Sequence, residues 1–242
     1  MRHYRFFVPP ENISKGVVTL PDDVVRQLTK VLRAKPGEKI TVIDGTGREY
    51  ECLFDGREQS EIVSESKCIC DPEAKVTLIQ VLPKGEKIDL ILRMITELGA
   101  SETVIALSER AVSRPDAKSA EKKIKRLEKI AAESAEQCGR SVVTKITGII
   151  SFDEAVKMGA DYDLRLFAYE EEEKNFLDSI LHETNSAKSA IIFIGCEGGF
   201  TKEEADSAVK AGWTPVSLGK RILRADTAAV ATVARVAGAL KA

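Results

Sequence analysis

Ala190–Phe200 reads AIIFIGCEGGF, an apolar run that ends in a cluster of three glycines. An apolar run of this length, bounded by glycine, predicts a buried strand. Thr201 follows, and Glu204 three residues later completes a capping box that begins a helix. A strand that passes through a glycine-rich loop into a helix is typical of an open α/β sheet, which binds ligands at that edge. The residues alone leave open whether this loop holds a ligand or is a plain connection.

The same alternation of strand and helix extends along residues 74–242. Apolar runs bounded by turn residues predict the strands, and apolar residues at helical spacing predict the helices. Such alternation is typical of a mainly parallel sheet covered by helices on both faces. We predict strands at Val76–Val81, Thr103–Leu107, Leu164–Tyr169, Ala190–Gly195 and Pro215–Leu218, and helices at Glu86–Leu98, Ser119–Cys138, Phe152–Lys157, Thr201–Ala211 and Ala225–Leu240.

Residues 1–71 have a different pattern, made of short segments rich in β-branched and aromatic residues. One helix, Asp22–Arg33, interrupts them, and Asp44–Gly47 forms a turn between two strands. The pattern predicts a small β-barrel or compact sheet domain at residues 1–71, a linker at Asp71–Glu73 and a second domain at residues 74–242. The predicted strands are Tyr4–Val8, Val17–Leu20, Lys39–Ile43, Arg48–Phe54 and Ile62–Cys70.

Composition argues against several classes of protein. Of the 242 residues, 43% are hydrophobic and 31% are charged, a balance typical of globular proteins. The apolar runs are too short to cross a bilayer and no signal peptide is recognised, so the cytoplasm is the expected location. A net charge of −2 is unlike that of a nonspecific polyanion binder. A nucleic-acid contact would therefore depend on local clusters of basic residues.

The cysteines and histidines give no pattern of their own. A disulfide framework is not expected from five scattered cysteines in a chain this long, and no metal site is expected because zinc needs about four ligands. The two histidines lie too far apart in sequence to suggest a catalytic dyad. There is also no P-loop, no dinucleotide fingerprint and no nucleophile elbow. The residues concerned are Cys52, Cys68, Cys70, Cys138, Cys196, His3 and His182.

A second motif follows the predicted strand Pro215–Leu218. Leu218–Ala228 reads LGKRILRADTA and places Lys220, Arg221 and Arg224 between a strand and a helix made of small residues. Three basic residues between a strand and a buried helix are unusual, which makes this segment a second candidate for function. The alternative is a helix-entry loop whose basic side chains are simply solvated.

These motifs resemble two signatures of the 16S ribosomal RNA uridine-N3 methyltransferase family, which belongs to the SPOUT class. Ile194–Phe200 is similar to its G-P-E-G-G-F, and Leu218–Ala228 is similar to its L-G-x-R-I-L-R-x-E-T-A. The resemblance extends in the same order along nearly the whole chain. Its other segments are Arg5–Val8, Val31–Arg33 with Pro36-Gly37, Lys84–Leu90 with Thr96–Gly99, Ser108–Arg110 and Glu133–Arg140.

The chain departs from the family pattern at four positions. Cys196 stands where the family has proline, Ala225 replaces threonine, Asp226 replaces glutamate, and Gln27 replaces a histidine. The departures leave the loop glycines and both arginines of the second motif in place.

The resemblance implies an α/β fold: a SPOUT-type parallel sheet with a C-terminal trefoil knot, and a small N-terminal PUA-like β-barrel domain that binds RNA. It implies a homodimer that uses S-adenosyl-L-methionine to methylate N3 of a uridine in 16S rRNA of the small ribosomal subunit, with no metal and no membrane partner. Two alternatives stay open: a SPOUT enzyme for another RNA, such as transfer RNA, and a non-catalytic RNA-binding or ribosome-assembly module.

The resemblance also implies roles for particular residues. Arg224 would stabilise the uracil or a phosphate; Glu197 is a candidate base, or a structural carboxylate, with Asp226 as the alternative base. Arg221 would hold the cofactor, anchor the knot or pair with a carboxylate. The cofactor-binding set is Ala168, Tyr169, Glu170, Ile194, Gly195, Glu197, Gly198, Gly199, Leu218, Gly219, Arg221, Ile222, Leu223 and Thr227. The RNA-binding set is Arg2, Arg5, Arg33, Arg110, Arg114, Lys122, Lys123, Lys125 and Arg126, each of which could alone be a solvated charge.

Overall fold

The computed structural model of the chain describes residues 4–68, 72–184 and 186–240. These divide into two units, one containing Met1–Asp71 with Ala132–Val143 and the other containing Pro72–Ala131 with Thr144–Ala242. Some predictions, those for Arg2, His3, Cys70 and Asp71, lie outside the described residues. Among the described residues, no helix combines the length and the apolar character needed to cross a membrane.

The first unit is built on a six-stranded sheet with the order β1-β4-β5-β6-β3-β2. Its pairings are antiparallel, apart from the parallel pair of β1 and β4. Phe6, Leu28, Val42 and Phe54 form part of its buried core. The predicted turn at residues 44–47 is confirmed as the link between β4 and β5. The strands are β1 (Tyr4–Phe7), β2 (Ile13–Ser14), β3 (Val17–Thr19), β4 (Lys39–Ile43), β5 (Arg48–Phe54) and β6 (Gln59–Lys67).

The single helix predicted at Asp22–Arg33 has two parts. An α-helix, α1 (Asp22–Arg26), continues as a π-helix over Gln27–Leu32. The segment ends at Arg33, whose φ of 55° is left-handed. A non-glycine residue in this conformation costs free energy, and such positions concentrate at functional sites. The sequence pattern located this helix but could not indicate that it changes from an α-helix to a π-helix.

The second unit contains the predicted parallel sheet. Every pairing in it is parallel, and the strand order is β12-β10-β11-β7-β8-β9. All six carboxyl ends therefore lie at one edge. The strands are β7 (Lys75–Val81), β8 (Glu102–Leu107), β9 (Lys145–Ser151), β10 (Leu164–Ala168), β11 (Ser189–Ile194) and β12 (Thr214–Val216). All of these strands except β9 were predicted from the sequence.

Helices cover both faces of this sheet, as predicted. On one face α7 packs against β7 and β11, and α2 packs against α7, whose alanines allow a close approach. The short helix α5, of seven residues, was not predicted. The helices are α2 (Lys87–Glu97), α3 (Ala117–Cys138), α4 (Phe152–Lys157), α5 (Leu177–Glu183), α6 (Lys202–Lys210) and α7 (Ala225–Ala239).

An aromatic cluster fills the opposite face. The rings of Phe167 and Phe200 have centroids 4.3 Å apart, and Phe193 lies 5.7 Å from Phe167 and 5.6 Å from Trp213. The Trp213 Nε1–H donates to the Val156 carbonyl at 2.9 Å, so its one polar group is satisfied. Because Phe200 ends the glycine-rich loop after β11, this cluster anchors that loop in the core.

Candidate functional site

A cleft of about 800 Å³ lies at the carboxyl ends of three adjacent strands. β10 lies between β12 and β11, so the loops after these strands meet although they are far apart in sequence. The volume falls within the usual range for small-molecule sites. Twelve residues of the predicted cofactor-binding set line the cleft: Ala168, Tyr169, Glu170, Ile194, Gly195, Glu197, Gly199, Leu218, Gly219, Arg221, Ile222 and Leu223.

Some predicted residues lie away from the cleft wall, and some wall residues were not predicted. Gly198, Asp226 and Thr227 are outside the lining, whereas Arg224 belongs to it. Three of the four glutamates in the acidic run 170–173 line the cleft. The two motifs also contribute lining residues that were not in the predicted set: Cys196, Phe200, Lys220, Ala225 and Ala228. The lining residues outside the motifs and the predicted set are Lys87, Glu172, Glu173, Phe176, Val216 and Ser217. Lys87 lies in Lys84–Leu90, one of the segments that resemble the methyltransferase family, but it had no predicted role.

The glycine-rich loop after β11 is a tight turn. The Gly199 N–H donates to the Cys196 carbonyl at 3.0 Å, and Gly199 has a φ of +64°. A Cβ on Gly199 would lie 3.0 Å from Glu170 Oε1, and one on Gly195 would lie 3.1 Å from the Phe200 ring. The left-handed Gly199 and the crowded Gly195 therefore both favour glycine, which lets the backbone approach whatever enters the cleft.

Glu197 is held by two groups outside its own loop. Its Oε1 accepts from Lys87 Nζ at 2.5 Å and its Oε2 accepts from the Lys84 N–H at 3.3 Å. Partial burial opposes ionisation, but hydrogen bonds from Lys87 and from backbone N–H groups outweigh it, so the pKa of Glu197 lies below its ordinary value. Its contribution to stability is present above the unfolded pKa and is lost as the pH falls through the lowered one.

The two sides of the cleft carry opposite charges. Lys220, Arg221 and Arg224 are exposed side chains of the loop after β12, and none of them forms an ion pair with a described residue. Glu170 and Glu172 lie in the loop after β10. A ligand that carries both positive and negative groups would be complementary to this arrangement.

Asp226 occupies the second residue of α7, next to the cleft-lining Arg224 and Ala225. Its Oδ1 is buried, and no described residue donates a hydrogen bond to it. A buried oxygen without a donor is costly, and such atoms need an explanation. Glu197 differs from Asp226, because both of its carboxylate oxygens accept hydrogen bonds. This difference bears on which of the two carboxylates acts as the base.

In the first unit, the predicted RNA-binding arginines have different environments. Arg5 forms a half-buried ion pair with Glu49 at 2.6 Å and also donates to Ser141 Oγ at 3.3 Å. Burial lowers the pKa of Arg5, but the hydrogen bond and charge of Glu49 together with the interactions of Cys68 outweigh it, so the net shift is upward. Arg33 is exposed on its left-handed turn. Arg33 is therefore the freer of the two to contact a phosphate.

In the second unit, three predicted RNA-binding arginines form hydrogen bonds or ion pairs with other residues of the protein. Arg110 Nη1 donates to the Gly198 carbonyl at 2.9 Å, and Arg114 Nη2 donates to the Ser108 carbonyl at 2.9 Å. Arg126 pairs with Asp89 at 2.9 Å. The lysines of α3 follow: Lys122 is exposed, Lys123 is half-buried, and Lys125 pairs with Glu121 at 2.7 Å.

Comparisons with known proteins agree with this geometry. A family model described as an RNA methyltransferase domain matches residues 71–237, and one described as an RNA methyltransferase PUA domain matches residues 20–56. The chain is 34% identical to a ribosomal RNA small subunit methyltransferase E of Synechocystis sp., over 96% of this chain and 77% of that protein. It is 29% identical to the Bacillus subtilis protein of the same name, over 94% of this chain and 93% of that one.

One solved structure is similar over almost its full length. It is a ribosomal RNA small subunit methyltransferase E from Neisseria gonorrhoeae, bound to S-adenosyl methionine. The TM-score is 0.85 at 34% sequence identity, and the match covers 96% of each chain.

Proposed function

We propose that this chain, which belongs to the ribosomal RNA small subunit methyltransferase E family, transfers a methyl group from S-adenosylmethionine to N3 of a uridine in 16S ribosomal RNA. The observation that carries the proposal is the cleft itself: a glycine turn, an acidic loop and a basic loop meet at the ends of three parallel strands. The named activity of the relatives agrees with that arrangement.

The cleft fits the proposed cofactor. Its volume of about 800 Å³ can take a nucleoside joined to an amino acid. Gly195 and Gly199 carry no side chain where a Cβ would crowd its neighbours, so backbone groups can approach the ligand closely. The cofactor carries a sulfonium, an ammonium and a carboxylate, which match the acidic and basic sides. Backbone of Ala168–Glu170, Ile194–Gly199 and Leu218–Leu223 would hold it.

When bound, S-adenosylmethionine supplies a methyl group that is already activated by the sulfonium. The protein's task is then to place the uracil ring in line with that group. Negative charge develops on the uracil oxygens as N3 loses its proton, and a cation at the cleft stabilises that charge. Arg224 fits this role because it lines the cleft and no described carboxylate neutralises it.

We assign the removal of the N3 proton to Asp226 rather than Glu197. Glu197 is tied to Lys87 and its pKa lies below the ordinary value, which makes it a weaker base. Asp226 has a carboxylate oxygen with no donor among the described residues, one residue beyond the cleft wall. A water molecule between N3 of the uridine and Asp226 would carry the proton from one to the other. Glu197 then serves to hold the glycine turn.

Substitution of Gly199 tests the cofactor cradle. A left-handed non-glycine residue costs roughly 1–3 kcal/mol, so the turn of Gly199→Val should relax to another conformation. Binding would have to restore the strained one, and we expect S-adenosylmethionine affinity to fall by about ten- to a hundredfold. The new side chain would also meet Glu170. Isothermal titration calorimetry measures the affinity. Gly238→Ala is the control because Gly238 is exposed in α7, with open space around it. Unchanged binding by the valine variant would contradict the cradle.

Two experiments test the proposal as a whole. Calorimetric titration of the chain with S-adenosylmethionine should give saturable binding, and no binding would leave a non-catalytic RNA-binding module as the alternative. Mass spectrometry of ribosomal RNA from a deletion strain should show the loss of one N3-methyluridine in 16S RNA. Loss of a methyl group from another RNA would reassign the substrate.

We extend the proposal to the architecture that the family implies: a trefoil knot at the C-terminal end of the second unit, closure of the first unit's sheet into a barrel, a homodimer and a cytoplasmic location. The RNA would then contact basic residues such as Arg33, Lys122 and Arg224. Sedimentation of the chain as a single species of twice 26.5 kDa would support the dimer, and a monomer would contradict it.

A further inference from the structure

Gln80 is a buried amide at the point where β11 ends. It is fully buried in β7, and its Cα pairs with that of Ile194, the last residue of β11. Its Nε2 donates to the carbonyls of Gly195 and Val81, both at 3.0 Å, and lies 3.4 Å from the Ile194 carbonyl. Three carbonyl oxygens around one atom identify that atom as the nitrogen, because an amide oxygen there would be repelled.

The stability of the sheet does not by itself explain a glutamine at position 80. Gln80 Oε1 is buried, and no described residue donates to it. A buried polar atom without a partner costs free energy, which an apolar side chain of similar length would avoid. The favourable contribution of the Gln80 amide therefore comes from the hydrogen bonds that its Nε2 donates to the carbonyls at the end of β11.

The Gly195 carbonyl depends on Gln80 because β7 offers it no backbone donor beyond Val81. The Leu82 N–H donates to the Ala106 carbonyl after the β7–β8 pairing, and Pro83 has no N–H. Without the Gln80 amide, the Gly195 carbonyl would lose its donor at the sheet edge.

The Gly195 carbonyl lies immediately before the glycine turn. Gly195 lines the cleft and is followed by the turn that the Gly199 N–H closes on the Cys196 carbonyl. On the far side, Arg110 holds the Gly198 carbonyl. The Gly195 and Gly198 carbonyls are thus held by Gln80 and Arg110, which lie outside the three loops that form the cleft.

We infer that Gln80 is a positioning residue for the methyl donor: its buried amide fixes the Gly195 carbonyl and so sets the backbone of the turn that contacts the cofactor. The inference rests on the proposed function, because it takes the ligand of the cleft to be S-adenosylmethionine. Gln80 itself is not in the cleft lining, so it would act on the cofactor through the turn.

The test is calorimetric titration of the full chain with S-adenosylmethionine for the wild type, Gln80→Met and Gln80→Glu. Methionine keeps the length and removes both N–H donors. We expect its dissociation constant to rise about tenfold, the equivalent of one lost hydrogen bond. Thr103→Val is the matched control, because Thr103 is a buried polar residue of β8 whose hydroxyl has no partner among the described residues.

Gln80→Glu adds a readout that a purely structural role would not give. A protonated carboxyl can donate one hydrogen bond to the Gly195 carbonyl, whereas a carboxylate would face the same three carbonyl oxygens. We therefore expect the affinity of this variant to fall as the pH rises, with no matching trend for Gln80→Met. Circular dichroism at each pH checks that the variants stay folded.

Each outcome decides between the possibilities. Wild-type binding with a tenfold loss in Gln80→Met and none in Thr103→Val supports the inference. Wild-type binding with equal affinity in Gln80→Met, or with the same loss in Thr103→Val, overturns the inference and leaves the proposed function intact. Failure of the wild type to bind overturns both.

Discussion

Arg224→Ala should lower the turnover of uridine methylation by about a hundred- to a thousandfold, the usual effect of removing one group that stabilises developing charge. Its guanidinium lines the cleft at the N-terminus of α7, and no described carboxylate pairs with it. The side chain is therefore available to the uracil or to a neighbouring phosphate. Because backbone groups are proposed to hold the cofactor, its dissociation constant should change by less than about threefold, a difference of well under 1 kcal/mol.

Single-turnover methylation of small ribosomal subunits, followed by mass spectrometry, measures the first quantity, and calorimetry measures the second. Arg224→Lys separates charge from shape, since lysine keeps the charge but loses the planar fork of donors. Arg221→Ala is the matched control in the same loop, and its larger expected effect is on cofactor affinity. Equal losses of affinity and turnover in Arg224→Ala would place Arg224 on the cofactor side.

Asp226→Asn should slow the chemical step by about a hundredfold or more, within the range for loss of a general base. Asparagine keeps the size of the side chain and removes its ability to accept a proton. The residual rate should rise with pH, since uridine then loses its N3 proton to solvent. Rate against pH, measured with saturating cofactor, is the readout.

Glu197→Gln is the companion experiment, since it makes the same chemical change on the other candidate. Its carboxylate pairs with Lys87, so we expect weaker cofactor binding and a rate within about threefold of the wild type, the size of a small electrostatic change. A loss of rate confined to Glu197→Gln, with Asp226→Asn unaffected, would reverse the assignment of the base.

Local sequence patterns determined most of the secondary structure of this chain. A strand, a helix cap and a tight turn each depend on residues within a few positions of one another. Ala190–Phe200 and Thr201–Glu204 therefore predicted β11, the glycine turn and the capping box of α6, all of which the structure contains. The motif Leu218–Ala228 placed basic residues at the start of α7 by the same reasoning.

Tertiary structure alone decided which distant residues share the cleft. β10 lies between β12 and β11, and β11 lies beside β7, an order that depends on long-range packing and not on any local pattern. That order brings the acidic loop 170–173 to the cleft, pairs Lys87 with Glu197, and sets the amide of Gln80 against the Gly195 carbonyl. Charge and hydrogen-bond partners of this kind arise from spatial neighbours, so the chain's composition and periodicity could not assign them.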